Sequence, residues 1–507
     1  MFIDAVKETL NKEFNNSITE NGALGYRTTG RALLDLNFRV ASLRRTNESE
    51  IIDLFMKSLF EDKTLAIKWL WYASDIREGL GERRLFKVII KHLALHHSWA
   101  ITNLIQFIPE YQRWDYLFEL FDTPLERKML TIIQEQLNED MNNMEQGKPI
   151  SLLAKWMPSV NTSSKQTTAL AKRVRHSLGM NEASYRKMLS RLRRHLDVVE
   201  VKMSSKAWGD INYETVPSRA NLNYSNAFLR NDEARRECYL EALKKGKAKI
   251  NSSVLFPHDI VHKYAPTHYC TKNTDPALEG MWKALPDMVN GNGNTIVVAD
   301  GSASMVTPIG DTNVTALSVA NALAIYFAER SEGEFKNKYI TFSECPQLVD
   351  FGQCGSLREK IEVALRHNEV ANTNIEAVFE LILKTAISNS MEQSELPQNI
   401  LIVSDMEFDS CVTANSQRSY GCNPPNVKLF DTIAANYTQH GYKLPRLVFW
   451  NVNSRTGTIP VIENDLGVAL VSGFSVNIVK MVLSGNLDPY ECLLEQLMSE
   501  RYAKIVI

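Results

Sequence analysis

The 507-residue chain has no run of about 18 consecutive apolar residues, so no membrane-spanning helix is expected. Its first residues, Met1-Phe2-Ile3-Asp4, lack the basic and apolar regions of a secretory leader. Cysteine is sparse. The seven, at 238, 270, 345, 354, 411, 422 and 492, are odd in number, scattered and without C-x-x-C spacing, which argues against a disulfide framework and fits a reduced, cytoplasmic compartment. Net charge is also scarce: 57 Lys and Arg against 59 Asp and Glu exclude a polycation, though not a local basic face. Neither a G-x-x-x-x-G-K-[ST] phosphate loop nor a G-x-S-x-G elbow occurs. Ser302 has no base at a recognisable offset. Asp300-Gly301-Ser302 lacks the second aspartate of an aspartyl-phosphate phosphotransferase. No catalysis is expected.

What remains is a globular composition, 44% hydrophobic and 23% charged. The length is enough for two to four domains at roughly 100–200 residues each. Residues 1–288 read as helical. Apolar stripes at helical spacing recur at 51–60, 65–72, 85–95 and 101–107, with short polar links such as Gly79-Leu80-Gly81. Many short helices with short links predict an antiparallel array, solenoid or ring of HEAT-like repeats. Residues 292–507 read differently. Apolar, β-branched runs at 295–299, 340–342, 400–403, 446–450 and 468–471 alternate with helical patterns. That alternation predicts a mostly parallel, Rossmann-like sheet flanked by helices, its ligand crevice at the carboxyl ends of the strands.

Three loops at that edge carry oxygen donors: Asp300-Gly301-Ser302-Ala303-Ser304, Asn372-Thr373-Asn374 and Ser404-Asp405. An all-oxygen set of low charge suits a hard divalent ion such as Mg²⁺, left electrophilic enough to accept an acidic group from a partner. Ser, Thr and Asp also cap helices, the plainer reading of any one of them. Asp300-x-Ser302-x-Ser304 after an apolar strand, with Thr373 and then Asp405, resembles the metal-ion-dependent adhesion site of von Willebrand factor A domains. The resemblance implies Ser302, Ser304 and Thr373 as inner ligands, and Asp300 and Asp405 as inner or water-mediated ones. The glycines usual near the threonine and after the last aspartate are Ala371 and Met406 here.

Basic residues are segregated. Residues 151–250 hold 20 Lys and Arg against 9 Asp and Glu. One run contains Lys172, Arg173, Arg175, Arg186, Lys187, Arg191, Arg193 and Arg194, a second Lys244, Lys245, Lys247 and Lys249, with Tyr185, Trp208, Tyr213 and Tyr224 interleaved. Such patterns suit phosphate neutralisation and base stacking, or simply a solvated helix face. His258-x₃-His262 has zinc-compatible spacing but no second ligand pair, so structural histidines are expected.

Arg77 to Arg84, Ile108 to Asp115, Trp208 with Pro217-Ser218-Arg219-Ala220, Gly246 to Ile250 and Phe449-Trp450-Asn451 are similar to segments of Ro-type ribonucleoproteins and their uncharacterised relatives. Those join a helical TROVE module to a von Willebrand A domain, in the order seen here. The resemblance implies RNA binding without catalysis, with single-stranded ends in a central hole and duplex outside. It adds Arg27, Arg31, Arg77, Arg83, Arg84 and Arg113 as candidates for the interior, some of which are expected instead to pair with local carboxylates such as Asp75, Glu82 and Asp115. The competing class is a protein–protein adaptor or assembly factor that holds an acidic protein ligand at the metal site.

Overall fold

The computed structural model describes residues 14–18, 24–267, 269–289, 294–309, 312–342, 346–368, 375–407, 429–454, 457, 459, 468–478 and 488–507. A short antiparallel pair, β1 (Asn16–Ile18) and β2 (Leu24–Tyr26), precedes a long helical stretch. Its principal helices are α1 (Ala32–Arg39), α2 (Glu48–Glu61), α3 (Lys63–Ser74), α4 (Arg83–His96), α5 (Glu126–Glu145), α6 (Lys165–Ser177) and α7 (Glu182–His195). Then come α8 (Ser218–Asn231), α9 (Glu233–Lys244), α10 (Pro257–Tyr264) and α11 (Pro276–Lys283). Amphipathic spacing makes them. In α5 the buried residues Met129, Ile133, Leu137 and Asp140 fall on one stripe. In α7, Asn181 caps the first turn through Ser184 N at 2.9 Å, and Tyr185, Met188, Leu189 and Leu192 face inward.

The strand-bearing part follows as β3 (Thr295–Asp300), α12 (Ala316–Arg330), β4 (Lys338–Phe342), β5 (Leu348–Asp350), α13 (Leu357–Arg366) and α14 (Ile375–Ser388). It continues with β6 (Asn399–Ser404), α15 (Leu429–Gln439), β7 (Arg446–Asn451), β8 (Val468–Ser472) and α16 (Pro489–Leu497). The sheet order is β5-β4-β3-β6-β7-β8, parallel except for β5 against β4. After β3 the chain builds outward to β4 and β5, then returns to place β6 on β3's other side. The topological switch point is therefore between β3 and β6, and the crevice lies beyond Asp300 and Ser404. A helical region followed by a mostly parallel sheet flanked by helices is the architecture expected from sequence.

The grouping into compact units does not follow the sequence division at 288–292. One unit is Met1–Ala66 with Leu255–Tyr502; the other is Ile67–Val254 with Ala503–Ile507. The reason lies in α12, which buries twelve residues around its whole circumference, from Ala316 to Ala328. One side of α12 meets β3, β4 and β6, and the other needs cover, which α10 supplies. The adjoining α11 is tied down by polar contacts. Trp282 Nε1 donates to Glu329 at 2.5 Å, and Glu279 accepts from the first-turn amides of α13, Leu357 N at 2.9 Å and Arg358 N at 3.3 Å. The Tyr264 hydroxyl donates to Glu279 at 2.8 Å.

Residues 24–66 are held at the other flank of the sheet. Tyr26 and Ile459 exchange backbone bonds at 2.8 and 2.9 Å, Asn451 Nδ2 donates to Phe38 O at 2.8 Å, and Ala41 N donates to Ser472 Oγ at 3.2 Å. Arg27 and Arg31 thus belong to the sheet-bearing unit rather than to a helical interior. Arg31 faces Glu61 at 3.8 Å and lies 5.0 Å from the Tyr490 ring centroid.

Glu279→Ala removes the side-chain acceptor of two helix-start amides and of the Tyr264 hydroxyl, which keeps its contacts with the Asp275 backbone. It should lower stability by about 2–3 kcal/mol, read as an earlier thermal transition by circular dichroism, with secondary structure unchanged at low temperature.

Candidate functional site

At the switch point the carboxylates and hydroxyls converge. Asp300, at the end of β3, is buried and both its oxygens are engaged: Oδ1 accepts from Ser302 N at 2.9 Å, and Oδ2 from Ser404 Oγ at 2.6 Å. Ser302 Oγ and Ser304 Oγ lie 2.9 Å apart. Asp405 is buried and accepts from Glu407 N at 3.3 Å. Burial first, and the Asp300 charge second, push the Asp405 carboxyl up to about 7, against the opposing hydrogen bond from Ser304. Four of the five expected ligands, Asp300, Ser302, Ser304 and Asp405, are thus at one crevice; Thr373 lies outside the described residues.

Two crowded carboxylates beside paired serine hydroxyls are a donor set that fits a hard divalent cation, which would relieve their repulsion. Among the described residues no three His, Cys, Asp or Glu side chains form a metal-holding group, so any such site here depends on hydroxyls. Asp300, with both oxygens already accepting, suits a role through water. A glycine would suit the position after Asp405. Met406 is buried at φ +63°, the left-handed region where a side chain is costly. Ser404 Oγ accepts its amide at 3.0 Å. A third buried carboxylate, Glu407, stands within 3.4 Å of Ser454 Oγ and was not evident from sequence. Among the described residues His258 belongs to no metal-holding group of His, Cys, Asp or Glu. Its ring packs between Phe256 and Phe474, at 5.4 and 5.5 Å. Cys411 and Cys422 lie outside the described residues.

The helical unit Ile67–Val254 contains a cleft of about 2100 Å³. Arg77, Arg83, Lys87, Arg113, Lys155, Arg193 and Arg219 line it, against Glu110, Asp115, Glu119 and Glu200. Trp156, Tyr116 and Tyr224 supply aromatic surface. The loop before α4 delivers the first two arginines. It folds back tightly: Gly79 N donates to Asp75 O and Leu80 N to Tyr72 O, both at 3.1 Å. A Cβ on Gly79 would stand 1.9 Å from the Tyr72 carbonyl oxygen, and Gly81 has φ +72°. The Gly79-Leu80-Gly81 breaker is therefore a geometric requirement of the cleft wall.

Arg113 is held by Asp115 (Nε to Oδ1 at 2.9 Å, and Nη2 to Oδ2) and lies 4.1 Å from the Trp156 ring centroid. Lys87 pairs with Glu119 at 2.6 Å. Burial holds the Arg83 guanidinium below its ordinary range, and the charges of Arg113 and Arg219 push the same way against Tyr116 and Asp115. The Tyr116 phenol is pushed up to about 12, chiefly by burial.

Residues expected from the basic run divide into two groups. Lys172, Arg186, Lys187, Arg191, Arg194, Lys244, Lys245, Lys247 and Lys249 are exposed. Of these, Arg191 faces Glu145 at 3.8 Å and Lys244 pairs with Glu241 at 2.5 Å. The others serve the fold. Arg173 binds Asp122 at 2.7 Å and Glu126 at 3.0 Å, and stacks on Phe121 at 4.1 Å. Arg175 donates to Met180 O at 3.0 Å. Arg193 donates to Ala154 O at 2.8 Å, Ser159 Oγ at 2.8 Å and Met157 O at 2.6 Å, which fixes the segment carrying Trp156. Tyr185 and Tyr213 are core residues rather than stacking platforms. Their hydroxyls donate to Pro158 O at 2.8 Å and Asp232 at 2.7 Å, because helical spacing turned them inward. Tyr224 does reach the cleft. Arg77, Arg83 and Arg113 line it; Arg84 does not. Lys155, Trp156 and Arg219 were missed as site residues, although Lys155-Trp156 pairs a cation with a large ring.

Comparison with known proteins gives the following. Residues 294–502 match a domain of unknown function, DUF7788, and residues 127–295 match another, DUF2828. The chain is 29% identical to the uncharacterized protein L728 of Acanthamoeba polyphaga mimivirus, over 95% of this chain and 87% of that protein. Among solved structures, the Deinococcus radiodurans RO (RSR) protein aligns with 85% of this chain and 92% of its own, at 11% identity and a TM-score of 0.41.

Two outcomes follow from this geometry. Added Mg²⁺ should raise the melting temperature, by an amount equivalent to about 2.7 kcal/mol at a hundredfold excess over Kd, and Ser302→Ala should abolish most of that shift in a thermal-shift titration. Arg193→Ala, which releases three acceptors, should cost about 2–4 kcal/mol in urea denaturation, whereas Arg194→Ala should stay within about 0.5 kcal/mol.

Proposed function

We propose that this chain is a non-catalytic, Ro-like RNA-binding protein that holds structured or single-stranded RNA on its helical unit. The cleft carries the reading. Seven cations against four carboxylates leave a net of three positive charges on a concave wall, interleaved with Trp156 and Tyr224. Guanidiniums there would neutralise and fork backbone phosphates, while the two rings would stack on bases. A cleft with aromatic platforms suits unpaired nucleotides, because a duplex hides its base faces. The exposed Lys172, Arg186, Lys187, Arg194, Lys245, Lys247 and Lys249 offer a second, solvent-facing set for structured RNA. The segments similar to Ro-type proteins include Arg77 to Arg84, Ile108 to Asp115 and Arg219, which contribute to the cleft.

The crevice at β3 and β6 has a separate part in this reading. With a divalent ion such as Mg²⁺, Ser302, Ser304 and Asp405 would hold the metal, and Asp300 would act through water. The ion would supply an electrophilic position for an acidic group of a protein partner. No bond of the RNA or the partner is broken; the protein's work is retention.

A salt titration of fluorescence anisotropy tests the proposal. A single strand should bind with submicromolar affinity at low salt, with a log–log slope of about −2 or steeper, as expected when three or more phosphates are neutralised. Lys155→Glu should weaken that binding about tenfold while leaving the thermal transition near its place. Absence of binding at low salt would overturn the RNA reading and leave the metal crevice as the working centre of an adaptor.

A further inference from the structure

We infer that His92 and His96 form a chelate for a borderline transition-metal ion such as Zn²⁺, separate from the oxygen crevice and independent of the RNA reading. The two stand four residues apart near the end of α4. Helical geometry stacks side chains at that spacing on one face. Leu93 and Ala94, between them in sequence, take the buried face. The result is a pair of imidazoles with ring centroids 4.7 Å apart, tilted by 44°. His96 is exposed and His92 half-buried, and Leu95 and Trp99 are also at the surface. An ion from solvent therefore reaches the pair without opening the core.

The ring separation suits coordination. Zn–N bonds of about 2.0–2.1 Å in a tetrahedral shell place two imidazole centroids about 5 Å apart. Each ring gives the ion one nitrogen only. Its other nitrogen stays available to a partner within the protein, as is usual for a ligating histidine. Imidazole suits Zn²⁺, Cu²⁺ or Ni²⁺, whereas Mg²⁺ takes oxygen, so this pair and the crevice at Asp300 would sort different ions. The backbone favours a cation here as well, because the last carbonyls of α4 form the negative end of its dipole. Lys91 opposes it, but Lys91 is exposed and its charge is screened. The His97 ring lies farther off, 6.0 Å from that of His92, at the C-cap where the helix ends. Among the described residues no three His, Cys, Asp or Glu side chains form a metal-holding group. The chelate is thus made of two histidines, and water completes its shell.

Isothermal titration of the full chain with Zn²⁺, in excess Mg²⁺ to occupy the oxygen crevice, tests the site. One Zn²⁺ per chain should bind. His96→Ala and His92→Ala, each checked for an unchanged melting temperature, should weaken that binding about a hundredfold, because the second imidazole acts intramolecularly. His97→Ala should leave it within about twofold. With one equivalent of Cu²⁺ as probe, electron paramagnetic resonance should show two nitrogen donors in the wild type and one in His96→Ala, a signature that a merely structural effect would not give. No Zn²⁺ binding in excess Mg²⁺ would overturn the site. Binding that survives His96→Ala would overturn its assignment to this pair, and loss in His97→Ala would overturn the two-histidine chelate. None of these outcomes bears on RNA binding.

Discussion

The requirement that a parallel sheet be covered on both faces governs the architecture. β3, β6 and β7 are buried along nearly their full length, so every polar group they carry must be bonded within the sheet and every side chain must find an apolar neighbour. α12 meets that demand on one face and, being apolar all round, creates a second demand of its own. α10 and α11 satisfy it. The helical residues 255–288 are therefore part of the sheet-bearing unit for an energetic reason, although their local structure resembles that of the helices before them. Polar contacts at Glu279, Glu329 and Tyr264 then fix the register of that cover.

The same constraint explains what the sequence could and could not disclose. Runs such as Ile400-Leu401-Ile402-Val403 are legible as buried strands, and the DxSxS loop after β3 is legible as a donor set, because strand, loop and ligands are contiguous. The unit boundary was less accessible. Helical periodicity reveals which face of a helix is buried but not which element covers it. One clue did exist: the stretch from Ala316 to Ala328 is hydrophobic except for Ser318 and Asn321, and so nearly apolar a helix announces a layer on each side.

The cleft was legible in pieces. Arg77, Arg83 and Arg113 could be named from their segments, yet their convergence with Lys155 and Arg219 is a product of tertiary structure. Charge density proved a poor guide to role. Arg173, Arg175 and Arg193 sit in the densest basic run, but their guanidiniums are committed to carboxylates and carbonyls of their own unit. Arginine is well suited to such work because its five donors can bridge several acceptors at once. A sequence count cannot separate an arginine that pins a loop from one that awaits a phosphate.

The discontinuous composition of the two units has a consequence for synthesis. Phe38 must wait for Asn451, a partner 413 residues later, before its carbonyl is satisfied. At ~5–20 residues per second this interval is on the order of tens of seconds, during which the amino-terminal helices lack the flank of the sheet they cover. The helical unit is delayed as well: Lys504 reaches Glu110 at 3.1 Å, and Ile505 is wholly buried, so its final packing waits for a segment 394 residues beyond Glu110. Folding of each unit thus ends with a closure between sequence-distant segments, and a nascent chain stalled before those later segments emerge would expose apolar surface that only they conceal.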